Sequence, residues 1–456
     1  MTVDGKAYSP VLQLSIGEDP PPSTDWRSIS IVTLITFITS VELSIAANGD
    51  WPYLLTIDSD STSNFNGIST SVTLATHAVS VLLFAAVSYQ FRNVKMLLIV
   101  GRLLSLAASL LYLSVEFFPS NRRFVILATY IVFAIAGGPS PLLRAIISRS
   151  STETDRTNAF AAFNLADVPI VRFCNNLAVA GTFIAILLNV TCILIIVLFF
   201  SDRPPLTKDN EREQWSFSSL RRRLILLKDA PFSWTLIILL ILLRAFSGLT
   251  GSAVISTIGP LFTSTFAISG PEYIQLMAIA TLVISVIAIG LSLLFVLVKM
   301  GRWISNRLLY LVGYLAVIIM YISSYPWPMW SSHLQSYNET TLTGCNPVEY
   351  SWCDDVLASS LWMWLPILVV VSGFATPAIS ISFDSMYSKA LGDIDQGPMQ
   401  SMLTVAQEVL GFAAPLYASA VYTTAGMPLL WIINFSITAI AVAVWLAMWK
   451  PLGKYQ

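Results

Sequence analysis

The sequence predicts an all-α membrane protein in which about twelve transmembrane helices form two six-helix bundles. Three observations predict this fold class. The 456 residues are 55% hydrophobic and only 11% charged, which is too little charge to cover the surface of a soluble domain of this length. Apolar runs long enough to cross a bilayer recur along the chain. One long polar linker then divides these runs into two halves.

Each predicted span is an apolar segment close to the length that the hydrocarbon core requires, about 20 residues. The predicted spans lie at 29–49, 68–88, 96–117, 124–148, 157–175, 178–200, 232–258, 274–298, 306–324, 359–388, 399–421 and 428–449. The fifth is the weakest because its apolar run is interrupted by polar residues such as Asp167 and Arg172.

The spans divide the chain into tails, bundles and a linker. The predicted divisions are a tail at 1–28, a first bundle at 29–200, a linker at 201–230, a second bundle at 231–449 and a tail at 450–456.

Lysine and arginine concentrate in alternate loops. They fall in the short loops near 92–95, 149–156, 299–307 and 389, in the linker and in the C-terminal tail, whereas the loops at 50–67 and 325–358 contain none. By the positive-inside rule both chain ends are predicted to be cytoplasmic and loop 325–358 lumenal. Arg122, Arg123 and Arg172 are the exceptions to this distribution.

Loop 325–358 contains two features of a lumenal segment. Asn338-Glu339-Thr340 is an N-glycosylation acceptor, although similar triplets at Asn189 and Asn434 fall inside spans and show that chance also produces them. Cys345 and Cys353 can form a disulfide in an oxidising lumen or remain two free thiols.

The two halves share a short internal repeat. Span four ends in 144–149, Arg-Ala-Ile-Ile-Ser-Arg, and span ten ends in 384–389, Asp-Ser-Met-Tyr-Ser-Lys. A charged residue, a serine and a terminal base fall in register at equivalent positions. Related halves of this kind are typical of secondary transporters.

Four charged residues lie within spans one, four, seven and ten, which would line a cavity between two such bundles. They are Glu42, Arg144, Arg244 and Asp384. An ionisable group in a membrane is costly, by about 2.5–3.5 kcal/mol on insertion scales, so these residues predict a functional site. Arg144 and Asp384 are predicted to pair at a cytoplasmic gate, Arg244 to attract an anionic group and Glu42 to carry a coupling proton. The alternative is that the charges pair within one half only to be tolerated.

Two further titratable residues are candidates for that site. Glu408, beside Gln407 in span eleven, either belongs to the site or is hydrogen-bonded to neighbouring helices. His77 in span two either titrates near lumenal pH or is a satisfied core histidine.

Signatures of other protein classes are missing from the sequence. It contains no nucleotide-binding loop, no zinc-protease motif and no nucleophile elbow, so we predict neither an enzyme nor a cofactor. The net charge of −1 argues against a nucleic-acid partner.

Several motifs resemble one known family. Residues 343–345 and 352–353 give a TGC…WC pattern, 387–397 give YSK-LG…QG, and 51–58 give WPYL…ID. Together with Arg144 and the turn from Glu153 to Thr157, they resemble the major facilitator superfamily domain-containing protein 8 family of lysosomal, ceroid-lipofuscinosis-type transporters. The resemblance extends over residues 26–449. The chain departs from the family in a shortened fifth span, in Gly411, where the family has a basic residue, and in Glu408.

The resemblance implies the major facilitator fold, an endolysosomal membrane location and movement of a small solute, with chloride conductance proposed for the family. It also implies that Arg144 is important and that the Asn338 acceptor is lumenal. Tyr8-Ser9-Pro10-Val11 fits a tyrosine-based sorting signal that would bind an adaptor at the N-terminal tail.

Two functions follow as hypotheses. The first is a carrier or channel-like facilitator that moves a small solute, such as an anion, across the lipid bilayer by alternating access. The second is a non-transporting membrane scaffold or receptor on the same fold, which the weakened fifth span favours and the four charges oppose.

Overall fold

The structure is a computed structural model that describes residues 23–47, 54, 58, 63–91, 93–166, 178–201, 233–338, 341, 343–392 and 396–455. The predicted sorting signal at Tyr8–Val11, nearly all of the linker and the second part of span five, with Asp167 and Arg172, lie outside these residues.

The helices of the N-terminal half follow the predicted apolar segments. They are α1 (Trp26–Ala47), α2 (Ser63–Phe91), α3 (Val94–Leu113), α4 (Arg122–Ala136), α5 (Ser140–Ser150), α6 (Arg156–Ala166) and α7 (Ala178–Phe199). α4 and α5 together form one span, Arg122–Ser150, which a turn at 137–139 interrupts. Gly137-Gly138-Pro139 explains this break, since neither glycine nor proline favours a helix interior.

The C-terminal half contains longer helices. They are α8 (Trp234–Pro260), α9 (Gly270–Leu297), α10 (Asn306–Ser324), α11 (Leu361–Leu391), α12 (Gln396–Ala447) and the short α13 (Trp449–Leu452). A π-helical turn, Leu261–Thr265, extends α8. The last two predicted spans lie within α12, which bends at Gly426, where φ is 70° and ψ is −166°.

Helical structure dominates the described residues, in which nine helices are long and apolar enough to cross a membrane. Apolar side chains such as Leu83, Leu187 and Leu297 are more than half exposed, as expected of helices that face lipid. Within the described part of the chain, β-structure is limited to isolated bridges in the loop that precedes α11.

The alternation of the helices defines two faces of the molecule. The termini face holds the start of α1 and the end of α12, and the loop face holds the loop between α10 and α11. The two halves pack together through α2 against α12, α5 against α12, and α6 against α9 and α11. Ala161 of α6 is buried against Phe295 of α9 and Ile381 of α11, so the apolar core continues across the boundary between the halves.

The loop before α11 folds onto the loop face of the C-terminal half. A disulfide joins Cys345 to Cys353, whose Cα atoms are 5.7 Å apart. The indole of Trp352 donates a hydrogen bond to the carbonyl of Tyr422 and lies against Gly426, where a Cβ atom would be 2.9 Å from the indole ring. Glycine is therefore required at the bend for two reasons, its positive φ and the close approach of Trp352.

Candidate functional site

Arg244 lies within α8 and is 8% exposed. Its Nε donates a hydrogen bond of 2.7 Å to Oε1 of Gln407 on α12, and its guanidinium lies 5.7 Å from the centre of the Phe383 ring. Gln407 is its hydrogen-bond partner among the described residues. The two Nη groups therefore remain as donors that a ligand could use.

A close approach of two helices holds Gln407 in this position. Gly248 lies one turn after Arg244, and a Cβ atom there would be 2.6 Å from the Gln407 carbonyl oxygen. Only glycine allows α8 and α12 to come this close. Gly251, three residues further along α8, has no neighbouring atom within 4 Å of such a Cβ.

Asp384 on α11 is the strongest electrostatic partner of Arg244, and Arg144 on α5 is the next charged group. The Asp384 side chain is 1% exposed, and within the described part of the chain neither carboxylate oxygen accepts a hydrogen bond. Arg144 and Asp384 form no ion pair among the described contacts, and their pairing at a gate stays a prediction. Asp384 attracts Arg244 of its own half electrostatically, and Arg144 is half-buried.

Residues one turn nearer the termini face close the gap between the halves. The hydroxyls of Ser148 and Ser388 lie 2.7 Å apart, and those of Thr157 and Ser385 lie 2.8 Å apart. Nδ2 of Asn306 donates to both hydroxyls of the second pair at 3.2 Å. These hydroxyl contacts, together with a hydrogen bond from Arg156 to the Ser388 carbonyl, join the two halves at the termini face.

Glu42 lies elsewhere, enclosed by three helices of the N-terminal half. Nη1 of Arg102 donates to it at 2.8 Å, and Ser105 and Asn189 donate to its other oxygen. Glu42 is 3% exposed. Its charge is thus compensated within one half, which is the alternative raised from the sequence, and the structure does not place it with Arg244.

Glu408 connects the two halves. Its Oε1 lies 3.2 Å from Nδ1 of His77 on α2. The imidazole also lies over the break in span four, where a Cβ atom on Gly137 would be 3.2 Å from the ring. Gln407 and Glu408 are consecutive on α12, so one holds Arg244 of the C-terminal half and the next pairs with His77 of the N-terminal half.

Sequence reasoning missed Arg102, Ser105 and Asn189 around Glu42, and Thr157, Ser385 and Asn306 at the termini face. A signal existed for the first set, because Arg102 is a charge within an apolar run and requires a partner. The second set consists of small polar residues that occur throughout the spans, and no pattern separates them from the rest.

The fold is that of an all-α membrane protein with the major facilitator architecture, as the sequence predicts. More particularly, the chain is similar to major facilitator superfamily domain-containing protein 8 of Xenopus laevis. The two are 24% identical over 478 aligned residues, which cover 93% of this chain and 92% of that protein. This similarity confirms the resemblance seen in the motifs. No family model matches the chain.

Three solved structures share the fold at low sequence identity. The human organic anion transporter MFSD10 (TETRAN) has a TM-score of 0.67 and 14% identity over 94% of this chain and 100% of that chain. The proton:xylose symporter XylE, bound to 6-bromo-6-deoxy-D-glucose, has a TM-score of 0.65 and 13% identity over 93% of this chain and 95% of that chain. An inward-facing bacterial homolog of the human lysosomal transporter Spinster has a TM-score of 0.51 and 13% identity over 95% of this chain and 99% of that chain.

Proposed function

We propose that this protein carries a small anion across a membrane by alternating access and binds it at Arg244. The proposal rests on the charge balance of the cluster formed by Arg144, Arg244 and Asp384. Among the described residues that act electrostatically on Arg244, Asp384 contributes one negative charge and Arg144 a second positive charge, so these three residues together carry a net positive charge. A buried excess of charge is costly in a membrane protein and is stabilised by a counter-ion.

The geometry favours an anion at Arg244 itself. Gln407 accepts a hydrogen bond only from Nε of Arg244. This bond fixes the orientation of the Arg244 guanidinium and leaves its two Nη groups available to a ligand. An arginine presented in this way binds carboxylates and other oxyanions through paired hydrogen bonds, and also attracts halides by charge. Chloride is the substrate that the motif resemblance suggests, and MFSD10, which shares the fold, is an organic anion transporter.

Contacts on both faces support alternating access. The serine and threonine pairs close the termini face. Nearer the loop face, Gly67 of α2 packs against Pro415 and Ser419 of α12. The hydroxyl pairs are neutral hydrogen bonds, each worth about 0.5–1.5 kcal/mol, and Arg156 of α6 adds a hydrogen bond to the Ser388 carbonyl. Contacts on two separate faces would let the halves part on one face while they remain joined on the other.

We further propose that the loop face is lumenal and that the protein resides in an endolysosomal membrane. Asn338 is exposed on the loop face, where a glycan can be attached. The absence of lysine and arginine from 325–358 supports the same orientation, with both termini cytoplasmic. Tyr8 and Val11 would then be available to a cytoplasmic adaptor.

Anion flux into proteoliposomes tests the carrier hypothesis, with chloride and small carboxylates as probes. We expect Arg244→Gln to reduce flux more than tenfold. Arg27→Gln removes an exposed positive charge on α1 and should leave flux unchanged. Asp384→Asn removes the competing carboxylate and should strengthen binding of the anion. Folded protein that moves neither class of anion would support the scaffold or receptor alternative.

A further inference from the structure

We propose that His77 and Glu408 form a proton-binding site that joins the two halves and controls closure of the loop face. The proposal deepens the proposed function, and its consequence for transport rests on that function. The pair is one of the direct polar contacts between the halves, with 3.2 Å between Nδ1 and Oε1.

Because the His77–Glu408 pair is largely buried within the membrane span, its charge state affects the stability of the contact between the halves. His77 is near the middle of α2, and Glu408 is near the middle of the part of α12 before Gly426. The side chains are 21% and 11% exposed, so both are largely removed from water. With a proton on the imidazole, the two charges compensate each other. Without that proton, Glu408 remains as an ionised group with no cation against it, and its desolvation is no longer offset.

Other charged groups on the packed helices have partners of their own. Arg102 on α3 is held by Glu42, Arg123 on α4 by Asp58, and Arg307 on α10 by the Trp449 carbonyl. Lys95 on α3 donates to the Val197 carbonyl and Arg122 on α4 to the Phe118 carbonyl.

The remaining charged groups are arginines and one carboxylate near the site. Arg144 and Arg149 lie toward the termini end of α5, and Arg244 on α8 faces Asp384 and binds Gln407. None of the described contacts places a second cation against Glu408, so protonated His77 supplies its compensating charge.

Loss of the proton therefore favours separation of α2 from α12. Once these helices part, water can solvate the Glu408 carboxylate. Acid on the loop face accordingly holds that face closed, and a rise toward neutral pH opens it. Histidine is suited to this role because its ordinary titration range lies between endolysosomal and neutral pH.

The pair also communicates with the anion site through one helix. Glu408 and Gln407 are adjacent on α12, and Gln407 fixes Nε of Arg244. A movement of α12 away from α2 thus shifts the residue that orients the anion-binding arginine. Proton binding at His77 and anion binding at Arg244 are thereby coupled through two adjacent residues of α12, Gln407 and Glu408.

Distance measurements between spin labels test the proposal without requiring transport. Phe117→Cys in the first half and Val348→Cys in the second half place labels at exposed loop-face positions, in a background with Cys174 and Cys192 replaced by alanine. In lipid nanodiscs we expect the population with the shorter label distance to increase at least threefold between pH 7.5 and pH 5.0.

The controls separate this pair from other titrations. His333 is the other histidine in the chain and is exposed, so His333→Gln should retain the pH response. His77→Gln and Glu408→Gln should each remove it, and the exchanged pair His77→Glu with Glu408→His should restore it. A parent protein without a pH response, or a His77→Gln variant with the parent's response, would overturn the proposal.

Flux measured on the same samples distinguishes the two proposals. A pH response that depends on His77 in a protein that moves no anion would leave the proton site standing and refute the carrier function. Anion flux that requires Arg244, in a protein whose label distances do not change in His77→Gln, would support the carrier function and refute the proton site.

Discussion

Ser148 and Ser388 occupy equivalent positions in the two halves, and their hydroxyl oxygens lie 2.7 Å apart. Each serine follows a charged residue by four positions and precedes a basic residue by one. The two copies of the internal repeat are thus in contact with each other, through serines at equivalent positions. The contact is neutral and small, which suits the repeated opening that the proposed alternating access requires.

We predict that Ser148→Ala weakens closure of the termini face. The substitution removes one hydrogen bond between the halves, whereas Ser388 keeps its bond to Gln396. A loss of about 0.5–1.5 kcal/mol corresponds to a two- to tenfold shift toward the state open on this face. Spin labels at the exposed positions Thr154 and Trp303 measure the shift. Ser30→Ala, which removes an exposed hydroxyl from α1, is the control, and equal distance distributions in both variants would contradict the prediction.

Gly248→Ala is expected to impair both folding and anion flux. The added methyl group would overlap the Gln407 carbonyl, so α8 and α12 must separate, at a cost of about 1–3 kcal/mol. Separation also moves Gln407 away from Arg244. Thermal stability in detergent and flux in proteoliposomes measure the two effects. Gly251→Ala adds the same methyl group to open space three residues away and should change neither, and equal behaviour of the two variants would refute the packing argument.

We expect Glu42 and Arg102 to act as a structural pair. Arg102→Leu leaves a buried carboxylate without its cation and should destabilise the protein by about 3–5 kcal/mol. The double variant with Glu42→Leu and Arg102→Leu removes both charges and should recover most of this loss. Thermal unfolding of the two variants and of the parent protein measures how much of the stability depends on the pairing of Glu42 with Arg102. A double variant that is stable but has lost flux would show that Glu42 takes part in transport after all.

A glycan on Asn338 is the fourth prediction. Protein from a eukaryotic host should migrate faster on a gel after endoglycosidase treatment, and Asn338→Gln should abolish this change. Thr340→Ser keeps the acceptor and should retain the glycan. The chance triplets at Asn189 and Asn434 are fully buried and should carry none. An untreated protein that already migrates like Asn338→Gln would remove the main support for a lumenal loop face.

Hydropathy was sufficient to predict the helical fold, because each apolar run has one stable arrangement in a bilayer. It also identified the ionisable residues, since each interrupts an apolar run. Their pairing could not be predicted in the same way. Glu42 and Arg102 lie 60 residues apart, and which charges meet depends on how helices rotate and pack. The motif repeat predicted that 144–149 lies beside 384–389, and Ser148 and Ser388 are in contact there. It also predicted that Arg144 contacts Asp384, whereas the described contact is made by the two serines one turn away.

His77 and Glu408 illustrate the limit most clearly. Either residue alone is compatible with a satisfied core position, and 331 positions separate them in the chain. Only the packing of α2 against α12 brings them together.

The indole of Trp352 in the bend at Gly426 has a consequence for biosynthesis. Because Trp352 precedes Tyr422 and Gly426 in the chain, the loop that contains Trp352 is synthesised before the segment it binds. The C-terminal half therefore cannot reach its final shape until that segment has been synthesised and inserted. A polypeptide truncated before Tyr422 would present an uncovered aromatic surface to the quality-control machinery of its membrane, even with every earlier helix inserted.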